Sequence, residues 1–196
     1  VGKTEIAKTL ASILETSLIR LQCYEGLDIS QSSYEWNYGK QLISIQSTNN
    51  KNIDLFSEDF LIERPLLKAL RQRPSERAVL LIDELDRADE AFEAYLLEFL
   101  SDWQITIPEI GSLKTEEPPI VVITSNRTRE VHDALKRRCY YSWVDYPEKD
   151  TELEILKHRV PQTGPTLQTE LGNFVQHLRE EELYKSPGIA ETIDWA

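Results

Sequence analysis

The chain has 196 residues, 40% of them hydrophobic and 29% charged, and a formal net charge of −12. That length suits one α/β domain with a small appendage, and the acidic balance argues against a general nucleic-acid surface. No apolar run approaches the roughly 20 residues that cross a membrane, and the pair Cys23 and Cys139 gives neither a disulfide framework nor a metal-ligand spacing, so a reducing cytoplasm is the default expectation.

The chain opens on Val1-Gly2-Lys3-Thr4, the last part of the phosphate-binding pattern G-x-x-x-x-G-K-[ST]. In such a loop backbone N–H groups cradle phosphates, the lysine places a point charge on them, and the Ser/Thr hydroxyl ligates Mg²⁺. A helix should follow, with its positive dipole end toward the phosphates; Ile6, Leu10, Ile13 and Leu14 fall at helical spacing. The chain contains no methionine, and it reads as a fragment without the loop's first glycine and the strand that normally precedes it.

Ser17–Gln22 reads as a strand and Cys23–Asp28 as a turn. Tyr34, Trp36 and Tyr38 read as packing aromatics, Tyr38–Ile45 as a helix, and Ser47–Asn52 as a polar loop. Ser57 is placed to cap a helix that Pro65 interrupts or restarts, with Leu66, Leu67 and Leu70 as its apolar stripe. Then comes Ala78-Val79-Leu80-Leu81-Ile82-Asp83-Glu84. Five apolar residues running into two carboxylates suit a strand buried on both faces, with the acids at its carboxyl end, where open α/β sheets bind ligands. The bland alternative is a strand ending at a solvated acidic turn. A bound Mg²⁺ would give one acid a partner and a reacting water would give the other a task.

Asp89–Leu100 reads as a helix, and Gln104–Pro119 as a hairpin around Gly111-Ser112. Ile120–Thr124 reads as a second buried strand that brings Asn126 to the same sheet edge as Asp83 and Glu84. His132–Arg138 is a short helix ending in cations, and Tyr140–Val144 reads as another strand. From Pro147 onward only helices are expected: one marked by Leu153, Ile155 and Leu156, one by the stripe Leu167, Leu171, Phe174, Val175 and Leu178, and one capped by Ser186-Pro187.

This order resembles the AAA+ ATPases, and within them the MoxR family in its CoxD-like branch. The resemblance rests on Leu21–Asp28, Leu80–Arg87, Ser125–Cys139 and Ser186–Trp195. It implies a P-loop NTPase fold: a three-layer αβα sandwich with a parallel sheet over residues 1–147, then a small, truncated all-helical lid over 148–196. It implies that Val1, Gly2, Lys3, Thr4, Glu5 and Asp83 bind ATP, with Thr4 and Asp83 on Mg²⁺. Glu84 resembles the acid that polarises the attacking water, and Asn126 resembles sensor 1. Arg138, with Arg137 as alternative, resembles the arginine finger that reaches the next subunit's nucleotide in a homo-oligomeric ring, usually a hexamer. No arginine stands at the sensor 2 position near Ser186–Glu191; Lys185 lies just before it.

The activity so implied is ATP hydrolysis driving chaperone-like remodelling or maturation of a protein client. The branch points to metal-cofactor assembly in a molybdenum hydroxylase such as a carbon monoxide dehydrogenase, alongside a von Willebrand A-domain partner. Two rivals are a nucleotide-binding scaffold with little turnover and a DNA-acting AAA+ protein of the helicase or clamp-loader type, the latter disfavoured by the charge.

Overall fold

The computed structural model describes residues 2–47, 54–73, 77–181 and 186–196. It separates into two compact units, Lys3–Tyr141 and Ser142–Ala196 together with Gly2.

The first unit is built on a parallel sheet of β1 (Leu18–Gln22), β4 (Val79–Asp83) and β7 (Ile120–Ile123), in the order β1-β4-β7. Every residue of β4 is buried, because the central strand is covered on both faces. One face carries Val79 and Leu81, packed with Ala7 and Ala11 of α1 (Lys3–Ile13). The other carries Leu80 and Ile82, in one core with Ile19 and Leu21 of β1, Leu66, Leu67 and Leu70 of α4 (Pro65–Leu70), and Phe92, Leu96 and Phe99 of α5 (Glu90–Asp102). Helices on both faces of a parallel sheet give the three-layer P-loop arrangement expected from the sequence. The register sets Gln22 opposite Asp83 and Ile82 opposite Ile123, so the carboxyl ends of all three strands share one edge.

Several local expectations are corrected. Ile6 and Ile13 of α1 and Leu14 just beyond it are exposed, while Ala7 and Ala11 face the sheet with Leu10 half-buried beside them; a small side chain lets the helix backbone come close to β4. Ser57 precedes a 3₁₀ turn, Glu58–Phe60, and makes no side-chain cap bond. The chain then forms β3 (Leu61–Glu63), antiparallel to β2 (Tyr34–Trp36), before α4 begins at Pro65. The aromatic stretch is therefore in part a strand, with Trp36 buried and Tyr38 exposed at the start of α3 (Tyr38–Ser47). The polar stretch 48–53 lies outside the described residues. The hairpin forms as β5 (Gln104–Ile107) and β6 (Gly111–Lys114). Tyr140–Val144 is no strand: it joins no ladder among the described residues, and Tyr140, Tyr141, Trp143 and Val144 are exposed. β-Branched and aromatic residues hold a strand only where a neighbouring edge supplies hydrogen bonds and a surface to pack on.

The second unit contains α7 (Lys149–Arg159), α8 (Pro165–Glu180) and α9 (Ile189–Trp195). Its interior turns on a charge. Glu152 of α7 is fully buried and accepts from Arg179 Nη1 and Nη2, both at 2.8 Å, from Gln176 Nε2 at 2.8 Å and from Thr192 Oγ1 at 2.9 Å. Holding that pair turns α8 so that Gln168, Gly172 and Val175 face inward while Leu167 and Phe174 of the apolar stripe are exposed. Gly172 packs closely there: a Cβ would meet Leu153 Cδ2 at 3.2 Å, so that side chain would have to shift by a few tenths of an ångström. α9 is capped by Gly188, whose N–H donates to Glu191 Oε2 at 3.1 Å, rather than by Ser186-Pro187.

Candidate active site

The carboxyl edge of the sheet collects the chemistry. Lys3, the first residue of α1, reaches across it: Nζ donates to the Ser125 carbonyl and, at 3.0 Å, to Asn126 Oδ1. Thr4 Oγ1 lies 3.3 Å from Asp83 Oδ1. Thus two residues at the chain's start meet one at the end of β4 and one beyond β7. Gly2 has φ of +92°, a conformation costly for any residue with a Cβ. Val1 lies outside the described residues, and Glu5 pairs with Lys8 of its own helix at 2.7 Å.

Asp83 is the best-supported side chain at this edge, with a side chain 5% exposed. Oδ1 accepts from Thr124 Oγ1 at 2.5 Å as well as from Thr4, and Oδ2 accepts from Arg20 Nε at 3.1 Å and Nη2 at 2.6 Å. Burial alone would raise its pKa; hydrogen bonds from Thr124 and Arg20 outweigh that and hold it below the usual carboxylate range. Cys23, whose N–H donates to the Asp83 carbonyl at 2.8 Å, shows the converse: burial and the nearby Asp83 charge push its thiol up to about 12. That favours the neutral thiol near neutral pH.

Glu84 leaves the strand in the left-handed region, φ 56° and ψ 48°. A non-glycine residue held there is strained and persists only when its surroundings fix it. Here its N–H donates to Thr124 Oγ1 at 3.0 Å and its carboxylate meets Arg87 Nε at 2.9 Å. Thr124 therefore ties both acids to β7's end, donating to Asp83 and accepting from Glu84.

Two further buried carboxylates hold the loop that carries Asn126. Asp86 accepts from the N–H of Asn126 at 3.0 Å, the N–H of Thr128 at 2.9 Å and Thr128 Oγ1 at 2.6 Å. Burial opposes its ionised form, but these bonds prevail and lower its pKa. Glu93 of α5, buried, takes Arg129 and the N–H of His132 at 2.9 Å. His132 in turn caps α6 (Asp133–Lys136) through Nδ1. The loop from Ser125 to α6 is thus pinned from one side by acids at the start of α5 and just before it. Beyond it Arg137 and Arg138 are exposed, and Arg138 Nη1 donates to the Ala134 carbonyl at 3.0 Å. The fold does not bring either arginine to Lys3 or Asp83 within the described contacts. Lys185 lies outside the described residues.

The fold gathers Lys3, Thr4, Asp83, Glu84 and Asn126, which the sequence singles out, and sets beside them Arg20, Thr124, Asp86 and Glu93, which it does not. A cation inside the apolar strand 17–22 was the available sign for Arg20, since a parallel neighbour would place it beside the acids.

The donor set fits a hard divalent cation. Thr4 Oγ1 lies 3.3 Å from Asp83 Oδ1 and 3.5 Å from Oδ2, a little beyond the roughly 3 Å between neighbouring ligands about an octahedral ion with bonds of about 2.1 Å, so a cation could meet Thr4 together with either oxygen. Among the described residues no group of three His, Cys, Asp or Glu side chains could hold a metal by itself. Thr4 and Asp83 would hold such a cation only with waters or further oxygen ligands completing its shell.

Comparison with known proteins agrees with this geometry. The family described as "AAA domain (dynein-related subfamily)" matches residues 1–139. An uncharacterized protein of Staphylococcus aureus (strain USA300) is 25% identical over 185 residues, covering 91% of this chain and 64% of the relative; the chain therefore spans less than two thirds of the length of the curated relatives it matches. The crystal structure of a candidate ATPase from Cytophaga hutchinsonii superposes with a TM-score of 0.56 at 18% identity, covering 91% of this chain and 51% of that one. A RuvB mutant from Thermotoga maritima aligns over 100% of the chain and 58% of its own, with a TM-score of 0.47 at 17% identity.

Proposed function

Because the chain belongs to the AAA domain family, dynein-related subfamily, we propose that it binds ATP with Mg²⁺ and hydrolyses it at the edge formed by Lys3, Thr4, Asp83, Glu84 and Asn126. The observation that carries this reading is the convergence of Lys3 on Asn126 and of Thr4 on Asp83, residues about 120 and about 80 positions apart, at the carboxyl ends of parallel strands. Lys3 supplies positive charge to the terminal phosphates, and Thr4 with Asp83 holds the cation. The cation, when bound, neutralises charge that develops on the phosphate oxygens. Asn126 orients the attacking water from the far side, and Glu84 accepts its proton. To do so that carboxylate would leave its pair with Arg87. Most of the rate gain in such a site comes from positioning and electrostatics.

Arg138, or Arg137 beside it, acts in trans, which requires a homo-oligomeric ring, by the family resemblance a hexamer. The exposure of both arginines supports that reading. The work done is remodelling or maturation of a protein client in the cytoplasm, in the MoxR and CoxD-like manner, reaching to metal-cofactor assembly in a molybdenum hydroxylase and to a von Willebrand A-domain partner. Among the described residues no helix is long and apolar enough to cross a membrane. A second reading, a nucleotide-binding scaffold with little turnover, draws on the pairing of Glu84 with Arg87.

Steady-state ATPase activity of the full-length protein against its own concentration separates these. The first reading requires specific activity that rises steeply with concentration and that Glu84→Gln and Arg138→Ala abolish. ATP binding without turnover at every concentration would install the scaffold instead.

A further inference from the structure

Arg20 has no place in the hydrolytic scheme, yet it grips the residue on which that scheme depends. It sits on β1 opposite Leu81, two residues before Gln22, which is opposite Asp83. Alternation puts Arg20, Gln22, Leu81 and Asp83 on one face of the sheet. From there its guanidinium turns two donors, Nε at 3.1 Å and Nη2 at 2.6 Å, onto the single oxygen Oδ2 of Asp83. Oδ1 is engaged by Thr124 and Thr4. A carboxylate offers about four lone-pair sites, and these contacts use them.

We propose, resting on the function above, that Arg20 is a resident counter-ion that competes with the divalent cation for Asp83 and so sets the Mg²⁺ concentration at which the site takes up nucleotide. Three features suit it to yield rather than to block. Its side chain is 54% exposed while that of Asp83 is 5% exposed, so the arginine can move toward water with little loss of packing. Nη2 also donates to Gln22 Oε1, which gives the guanidinium a neutral partner on its own strand when Asp83 turns to the cation. And Thr124 keeps its bond to Oδ1 whichever cation Oδ2 meets, so the carboxylate need not rotate. Arg20 is in these terms a positioning residue: it touches Asp83, not the phosphates.

The test is binding of a fluorescent ATP analogue to the full-length protein, titrated with MgCl₂ and repeated in EDTA, for wild type, Arg20→Gln, Arg20→Lys and Asp83→Asn. Removing the charge in Arg20→Gln should lower the half-saturating Mg²⁺ about tenfold, a difference of about 1.4 kcal/mol. Arg20→Lys, which keeps the charge but loses the two-donor grip, should lower it two- to threefold. Binding in EDTA should be unchanged within about twofold for both, and Asp83→Asn should lose the Mg²⁺ dependence. A half-saturation that is unchanged or raised in both Arg20 variants overturns the proposal. So does an Arg20→Gln protein that binds weakly with and without Mg²⁺ alike, because that is the mark of a residue that only holds the fold. Failure of the wild type to bind the analogue at any Mg²⁺ concentration overturns the underlying functional reading instead.

Discussion

Each unit of the chain buries a carboxylate against an arginine, and the two pairs are built differently. In the helical unit Glu152 and Arg179 have side chains 0% and 8% exposed. Both carboxylate oxygens meet the guanidinium, Gln176 and Thr192 supply further donors, Arg179 Nε donates to the Pro187 carbonyl, and its guanidinium lies 4.9 Å from the centre of the Tyr146 ring. In the α/β unit only the acid is buried; Arg20 is half in water and its two donors share one oxygen of Asp83. A closed pair with every guanidinium nitrogen engaged fixes an arrangement of helices. A half-open pair at the sheet edge leaves the acid charged, oriented and available to a second cation. Partner exposure alone does not mark such a site, since Glu93 with the part-exposed Arg129 only holds a loop; the place at the carboxyl edge beside Thr4 does.

The largest effect that this contrast requires is on the helical unit. Glu152→Ala leaves Arg179 charged and buried without its partner and should cost about 3–5 kcal/mol, read as an early transition of that unit in chemical denaturation. Replacing both members by apolar residues of similar volume should recover much of that loss, since the pair's own desolvation cost disappears with it. Arg20→Gln should cost less, about 1 kcal/mol, because Asp83, though it loses its counter-ion, keeps the bonds from Thr124 and Thr4 and a glutamine amide can still donate to it. Equal losses at the two sites would erase the distinction.

Acid sharpens it further. Asp83 and Asp86 both titrate below the ordinary carboxylate range in the folded protein, held there against burial by Thr124 and Arg20 in one case and by Thr128 and the Asn126 N–H in the other. A folded pKa below the unfolded one means that the ionised group stabilises the fold. That contribution is complete above the unfolded value near 4 and is lost as pH falls through the lower folded values. Denaturation midpoints of the α/β unit should therefore drop below about pH 4, and Asp86→Asn should flatten that acid limb while lowering stability at pH 7. An acid limb unaffected by Asp86→Asn would place the pH dependence elsewhere.

What was legible in the sequence follows from the range over which each feature acts. Asp83, Glu84, Lys3 and Thr4 could be read because each lies in a short run whose local pattern, an apolar strand into acids or a glycine and lysine opening a helix, already states its geometry. Arg20 could not be tied to Asp83 that way, because the contact exists only once β1 and β4 are parallel and in register. The three-residue strands β2 and β3 carry too little alternation to be seen, and they form because Tyr34–Trp36 finds Leu61–Glu63. The stripe on α8 was legible only in part: Val175 is buried and Leu171 and Leu178 are half-buried, but the demand of Glu152 for Arg179 and Gln176 rotates the inner face so that Leu167 and Phe174 are exposed. Tyr140–Val144 had the composition of a strand, and composition supplies no partner edge.

A third kind of arginine completes the comparison. Arg138 is exposed, and its Nη1 donates to the carbonyl of Ala134 in the preceding turn. As a cation at a helix end it would earn only a few tenths of a kcal/mol from the dipole, and truncation leaves no buried charge behind. Arg138→Ala should therefore change the stability of the α/β unit by less than about 0.5 kcal/mol, measured by denaturation at neutral pH, while turnover in the assembled protein is lost. The combination matters more than either half. A residue kept for its own helix would cost stability and leave turnover in proportion to the folded fraction, whereas a residue that completes a neighbour's site would cost turnover alone. If Arg138→Ala destabilises the unit by more than about 1 kcal/mol, well beyond the usual surface range, the trans role passes to Arg137, and Arg138 joins Arg179 among the arginines that hold the fold.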